Sequence, residues 1–261
     1  MKIVQPKVIL LAETRLSAAG ITELLGEVGA PEWQTNSHSD GEALIEAAGR
    51  MCYRSWKPGL NPNVTKVREG NHWYIGNILA QKHGSVLEHV NTTWAFLNVS
   101  RVFTHELCRH RAGTAISQES LRYVRLEDIP FAESAELPKH VVDSTVTHLE
   151  AVQRGLAINF GLDDHRSLEE PQAHQSFAYK KRKTSAMRRL APLGLATNMI
   201  WTCNMRELRH VITLRTDPGA EEEIRKVIGM LADIAIPRYP AIFQDFTKKE
   251  DGSWEPEHWK V

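Results

Sequence analysis

Residues 90–125 read VNTTWAFLNVSRVFTHELCRHRAGTAISQESLRYVR. The first ten of these, residues 90–99, have the β-branched and aromatic content of a strand. Ser100 follows as a credible N-cap, and Val102, Phe103, Leu107 and Cys108 give the next segment the apolar spacing of a helix. Gly113 is placed to end that helix in the left-handed conformation, so Arg109, His110 and Arg111 fall in its final turn. Consecutive helical residues fan out by about 100°. The three side chains therefore share a face only if the helix ends there and the chain turns.

Working outward, residues 8–12 form an apolar run that predicts a buried strand, and residues 18–28 repeat apolar positions at helical spacing until Gly29 and Pro31. Residues 31–40 read as a loop and 41–53 as a helix ending near Pro58-Gly59 and Asn61-Pro62, punctuation suited to the rim of a binding site. A helix over 67–82 stops at Gly84. Further on, 139–160 and 171–189 read as helices with the polar 161–170 between them, 195–203 as a strand and 204–214 as a helix. Asp217 is read as a cap with Pro218 at the first helical position, and the last helix runs to about residue 236. The tail, 248–261, mixes charge with Trp254 and Trp259 and reads as surface-bound or as an interface strap. Neither repeats nor a linker interrupt this pattern, which predicts one α/β (α+β) domain over residues 1–261.

Composition excludes several function classes. The 261 residues exceed the usual 100 to 200 per domain only modestly, and 42% hydrophobic with 25% charged residues is enough to bury a sizeable core. Thirty-two basic against 32 acidic residues leave no bulk field for holding nucleic acid or a membrane, so any phosphate binding has to be local. Cys52, Cys108 and Cys203 are scattered without a C-x-x-C pair, which points to neither a disulfide framework nor a zinc ribbon and makes the cytoplasm the expected compartment. The N-terminal apolar run is too short for a membrane span and poor as a secretory signal. G-x-G-x-x-G, G-x-x-x-x-G-K-[ST] and G-x-S-x-G are all absent. His105 and His110 imitate the zinc-protease H-E-x-x-H but stand five apart, which sets them roughly 140° round a helix and rules out chelation from one face.

Five arginines crowd into residues 101–125 of a chain that is neutral overall. Cations in a last helical turn ordinarily do no more than complement the dipole, worth about 0.3 to 1 kcal/mol each. The adjoining residues 117–123, SQESLRY, read as a short extended stretch and change the balance by adding hydroxyls, an amide, another arginine and a phenol. Guanidinium forks suit phosphate, amide and hydroxyl groups suit a base edge, and Tyr123 can pack on a sugar or base. The combination describes a nucleotide site, in an enzyme or in a binding module that holds a nucleotide or RNA without turnover.

Arg109-His110-Arg111 followed by Ser-Gln118-x-Ser120-x-Arg122-Tyr123 resembles the signature of the flavin-dependent thymidylate synthases, which methylate dUMP without a catalytic cysteine. Eight residues separate Arg111 from Ser120, one more than the family pattern; the end of the motif keeps register, so the extra residue lies within 112–116. The segment 83–89, HGSVLEH, resembles the family's flavin-contacting stretch, which implies His83 near the isoalloxazine and Ser85 near the FAD phosphates. A lone histidine would otherwise be read as an ordinary core or surface group. Arg188, four residues before Pro192, matches a nucleotide-binding arginine, and Asn204, Arg206 and His210 match a second FAD-binding helix, although many members carry Asn where His210 stands. Arg215 matches the arginine that holds uracil in its N3-ionised form, and Glu106 stands where many members have Gln. The matched motifs span 83–215, about half the chain.

The resemblance implies a central, mostly antiparallel sheet flanked by helices, and a homotetramer with shared active sites. It implies tightly bound FAD, with NADPH and methylenetetrahydrofolate as co-substrates. Arg215 and Ser120 would be the catalytic pair, Ser120 as a positioning donor since no general base accompanies it. Arg109, Arg122 and Arg188 would hold the nucleotide phosphate, and Glu106, Gln118 and Tyr123 would contact base or sugar. Arg109, His110, Arg111 and Gln118 would also face FAD. UMP as the substrate in place of dUMP stays open, as does a metalloprotein built on the 12 histidines, which have no ligand spacing.

Overall fold

The computed structural model describes residues 2–123, 126, 128–162 and 176–261. In chain order the first elements are β1 (Lys2–Val4), β2 (Lys7–Glu13), α1 (Ala18–Glu27), α2 (Asp40–Tyr53), α3 (Asn71–Ala80), a 3-10 turn at Gly84–His89, and β3 (Asn91–Ser100). There follow α4 (Arg101–Leu107), β4 (Thr114–Gln118), β5 (Pro130–Ala132), α5 (Lys139–Asn159), α6 (Phe177–Met187) and a 3-10 turn at Arg188–Leu190. The chain closes with β6 (Ala196–Asn204), α7 (Met205–Arg215), α8 (Glu222–Arg238), β7 (Phe246–Lys248) and β8 (Trp254–Pro256). This is a mixed helix-and-sheet fold. The expected helix over 171–189 is present from Phe177 to Met187; its first residues, and most of the polar stretch before it, lie outside the described residues.

A four-stranded sheet has the order β2-β3-β6-β4, and β1-β5 and β7-β8 form smaller pairs, the first parallel and the second antiparallel. β3 and β6 run antiparallel: Thr93 and Thr202 share a hydrogen bond of 2.9 Å, and farther along β3 the Asn98 N–H donates to Asn198 Oδ1 at 3.0 Å. The chain divides into two compact units. The first comprises Met1–Lys7, Phe96–Cys108 and Ile116–Ile200, and the second Val8–Ala95, Arg109–Ala115 and Trp201–Val261.

In the first unit, Ile129, Phe131, Val142, Val146 and Leu195 form a buried cluster. In the second, α8 buries Ile224, Val227, Ile228, Leu231, Ala232 and Ala235, the i, i+3, i+4 stripe of an amphipathic helix, and α7 adds Leu208, Val211 and Ile212. A polar network lies deep in the same unit. Arg50 donates to Glu46 Oε1 from Nε at 2.9 Å and Nη2 at 2.7 Å, and to the carbonyls of Ser55 and Arg68, each at 2.8 Å. Glu46 Oε2 accepts from Thr35 and Asn71, and the Arg50 guanidinium lies 4.4 Å from the Tyr74 ring centroid.

Four expectations need correction. Ser100 caps α4 as expected, accepting from the Phe103 N–H at 3.0 Å, but the helix ends at Leu107, so Arg109, His110 and Arg111 lie beyond it in the turn into β4. Burial of His110 outranks local helical preference there. β2 buries only Val8 and leaves Leu11 half exposed, so its continuous apolar run does not have cover on both faces. Residues 117–123 are extended only to Gln118, after which the Tyr123 N–H donates to the Ser120 carbonyl at 3.0 Å and closes a turn. Asp217 accepts from the Gly219 N–H at 2.7 Å in an Asx turn, and the cap of α8 is Glu221, whose carboxylate accepts from the N–H groups of Glu223 and Ile224.

Removing one partner of a buried ion pair strands the other charge. Glu46→Ala is accordingly expected to destabilise the fold by about 3 to 5 kcal/mol, checked by the midpoint of urea unfolding; a loss under about 1 kcal/mol, the surface-pair range, would show the network is not structural.

Candidate active site

In the second unit the site is built around the start of α7. Asn204 caps the helix, its Oδ1 accepting from the Glu207 N–H at 2.8 Å, while its own N–H donates to the Gly113 carbonyl at 3.1 Å. Gly113 has φ +61°, and a Cβ built there would lie 2.0 Å from Asn204 Nδ2. The turn after Arg111 is therefore pinned to the helix start, and only glycine fits the pin. This places the buried His110 ring between two charged groups. Its Nδ1 is 3.2 Å from Glu207 Oε1, and its Nε2 accepts from Arg215 Nε at 2.8 Å. The His210 ring stands edge-on, its centroid 5.8 Å from that of His110.

A cleft of about 550 Å³ opens beside this cluster, its lining including Gly113, Asn204, Arg206, Glu207 and His210. Arg206 donates from Nη1 to Glu88 at 2.6 Å and from Nε to the Val261 carbonyl at 2.9 Å. The Val261 backbone packs so closely on Gly84 that a Cβ there would lie 2.3 Å from the Val261 carbonyl carbon. The tail is thus a strap, as expected, but one that carries the β7-β8 hairpin and reaches the edge of this cleft. His83 stacks on Tyr53, with ring centroids 5.9 Å apart and Nδ1 3.4 Å from the phenolic oxygen, and Ser85 is exposed in the turn that follows.

The first unit holds the rest of the motif. Gln118 Nε2 donates to Thr104 Oγ1 at 3.0 Å, joining β4 to α4. Glu119 clasps Asn198, accepting from its backbone N–H at 3.1 Å and from its Nδ2 at 2.8 Å, and the Glu119 carbonyl accepts from Arg101 Nη2 at 3.0 Å. Burial lowers the Arg101 pKa and Arg188 adds a like charge nearby, opposed by Glu119. Ser120 Oγ accepts from the Arg122 N–H at 3.4 Å, so it shapes its own turn. Tyr123 stacks on Phe177 with centroids 6.2 Å apart, and a hydrogen bond with Lys181 holds its phenol below the ordinary range.

Residues 35–241 match the model of a family described as "Thymidylate synthase complementing protein". The flavin-dependent thymidylate synthase of Mycobacterium avium is 34% identical over 255 residues, covering 90% of this chain and 91% of its own. The chain belongs to the flavin-dependent thymidylate synthase family. It is, accordingly, an enzyme, a methyltransferase. In fold it is similar to thymidylate synthase X from Helicobacter pylori, solved with FAD and dUMP, with a TM-score of 0.58 and 18% identity over 92% of this chain and 98% of that one. It is also similar to the UMP/dUMP methylase PolB from Streptomyces cacaoi, solved with 5-Br dUMP, with a TM-score of 0.57 and 15% identity over 93% and 95% of the two chains.

Of the residues that the flavin-dependent thymidylate synthase motif names, the structure gathers His110, Asn204, His210 and Arg215 in one network, with Arg206 beside it. Gln118, Ser120, Arg122, Tyr123 and Arg188 lie in the other unit. Arg109, Arg111, Arg122 and Arg188 are exposed, and Glu106 is half-buried on α4. Sequence reasoning missed Glu207, Arg101, Thr104, Asn198 and Tyr53. Asn204-x-x-Glu207 has the spacing of a capping pattern, a signal that could have singled out Glu207; Asn198 carries no such signal. Burial pushes the thiols of Cys203 and Cys108 above the ordinary range, so neither is set up to act as a thiolate.

Gly113→Ala should cost about 1 to 3 kcal/mol in backbone strain and about 1 kcal/mol more from the displaced Asn204 cap. Thermal unfolding measures the sum, and an unshifted melting temperature would contradict the pin.

Proposed function

We propose that the protein reductively methylates C5 of dUMP, taking the methylene carbon from methylenetetrahydrofolate, a hydride from NADPH and a proton from solvent, to give dTMP, tetrahydrofolate and NADP⁺. One observation carries the reading: His110 and Arg215, which the family motif names separately, lie 105 positions apart and are hydrogen-bonded at 2.8 Å. The family match adds the reaction class.

The cleft is within the roughly 300 to 1,000 Å³ of small-molecule sites, and its amide, imidazole and guanidinium donors suit an anionic dinucleotide. The Helicobacter relative binds FAD and dUMP, and we assign the same pair to this chain. FAD, when bound, supplies the two-electron chemistry. Asn204, Arg206 and His210 would hold it, with His83, Ser85, Arg109, His110, Arg111 and Gln118 completing its contacts. Arg215 would stabilise negative charge on the pyrimidine ring, a charge-assisted contact worth about 1.5 to 3 kcal/mol. Arg109, Arg122 and Arg188 would neutralise the phosphate, Ser120 would orient the base, and Glu106, Gln118 and Tyr123 would border base and sugar.

We take the chain to act as one domain, since β3, β4 and β6 each run through both units, and to work as a homotetramer with shared sites. Among the described residues no helix is long and apolar enough to cross a membrane. With its cysteines unpaired, we place the protein in the cytoplasm. Similarity to a UMP/dUMP methylase supports UMP as the second reading.

Paired assays with dUMP and UMP decide the substrate: turnover of dUMP with little of UMP is expected, and the reverse would transfer the assignment. The purified protein should be yellow, absorbing near about 450 nm as flavins do; a colourless protein that takes up no flavin would refute the flavoenzyme reading. Arg215→Ala should abolish methyl transfer while flavin content stays normal. Ser85→Asp should lower flavin retention by setting an anion against a phosphate, and unchanged content would remove Ser85 from that contact.

A further inference from the structure

Glu207 is not among the residues that the family motif names, yet it is buried with its carboxylate on the ring that holds Arg215. The protonation of that ring follows from the donors around it. Arg215 Nε carries a hydrogen and can only donate, so His110 Nε2, 2.8 Å away, presents a lone pair. An imidazolium would oppose two N–H donors there and set two cations side by side. The remaining ring proton sits on Nδ1 and points at Glu207 Oε1, 3.2 Å away. Carboxylate, neutral imidazole and guanidinium form one chain of donors and acceptors, each fixing the next.

We infer that Glu207 is a positioning residue for the methylation: by holding His110 as the Nδ1–H tautomer, it aims Arg215 at the pyrimidine. The frame around it is rigid. The Glu207 N–H is tied to the Asn204 cap, and the His110 carbonyl accepts from Thr114 Oγ1 at 3.0 Å. The backbone on both sides of the ring is thus tied down, and the ring itself is held at Nδ1 and Nε2. The arrangement also explains why the third member is arginine. A guanidinium is a rigid plane, so a fixed partner on Nε sets the direction of the whole group, whereas the single nitrogen of lysine on its flexible stem offers no such hold.

The inference rests on the assignment of Arg215 to the pyrimidine, and the test separates the two. In ¹⁵N-histidine-labelled protein, the His110 signal, identified by its loss in His110→Asn, should show a protonated Nδ1 and an unprotonated Nε2. Glu207→Gln keeps the shape of the side chain but removes its charge and allows the amide to donate, so it should shift that signal. A protonated Nε2 in the unsubstituted protein overturns the proposal. The second arm is dUMP affinity by calorimetry. Glu207→Gln should weaken binding about tenfold or more, the size of one lost charge-assisted hydrogen bond, and should have no further effect when Arg215 is already Ala. An equal loss in both backgrounds would mean a general structural role and would also overturn it. If the unsubstituted protein binds no dUMP while the tautomer is as stated, the substrate assignment fails and the relay stands.

Discussion

The imidazole of His110, held between a carboxylate and a guanidinium, is the contact on which the rest of the candidate site depends. It draws together the turn after α4 and both ends of α7, segments about a hundred residues apart. α4 stops at Leu107, and the turn that follows it holds the buried His110 against Glu207. The left-handed Gly113 and the Asn204 cap are the means by which the chain accommodates that stop.

The same economy governs the arginines. A chain with no net charge can hold an anion only where individual guanidinium groups are fixed, and several here are fixed by partners within the fold. On α7 alone, Arg206 rests on Glu88, Arg209 makes a paired contact with Asp245 and donates to the Ile242 carbonyl, and Arg215 leans on His110. Arg209 is buried in its ion pair while Arg206 is exposed, so neighbouring arginines of one helix that both line the cleft divide between buried and exposed positions. The pattern R-x-x-R does not by itself reveal which does which.

Much of the architecture was legible in the residues. The strand over 90–99, the Ser100 cap and the helix beginning at Asn204 follow from local chemistry, and they appear within a residue or so of where they were expected. What was not legible depended on distant partners. His110 lies in a turn and not in α4, and its partner there is a carboxylate nearly a hundred positions away. β2 looked buried because an apolar run does not show which of its faces finds cover. Asp217-Pro218 has the letters of a helix start, but the Asp217 side chain turns back on Gly219 and leaves capping to Glu221. Family likeness could name Arg215 and His110 as site residues; only coordinates could show them bonded to each other.

Cys52 is the exposed member of the three described thiols, while Cys203 is buried and Cys108 partly so. It immediately precedes Tyr53, whose ring lies against His83 at the mouth of a second cleft, of about 350 Å³, rimmed by Lys66 and Arg68. The fold therefore carries a natural attachment point for a fluorophore or spin label, one residue from the tyrosine that stacks on His83, and changes at that cleft can be followed without adding a foreign cysteine.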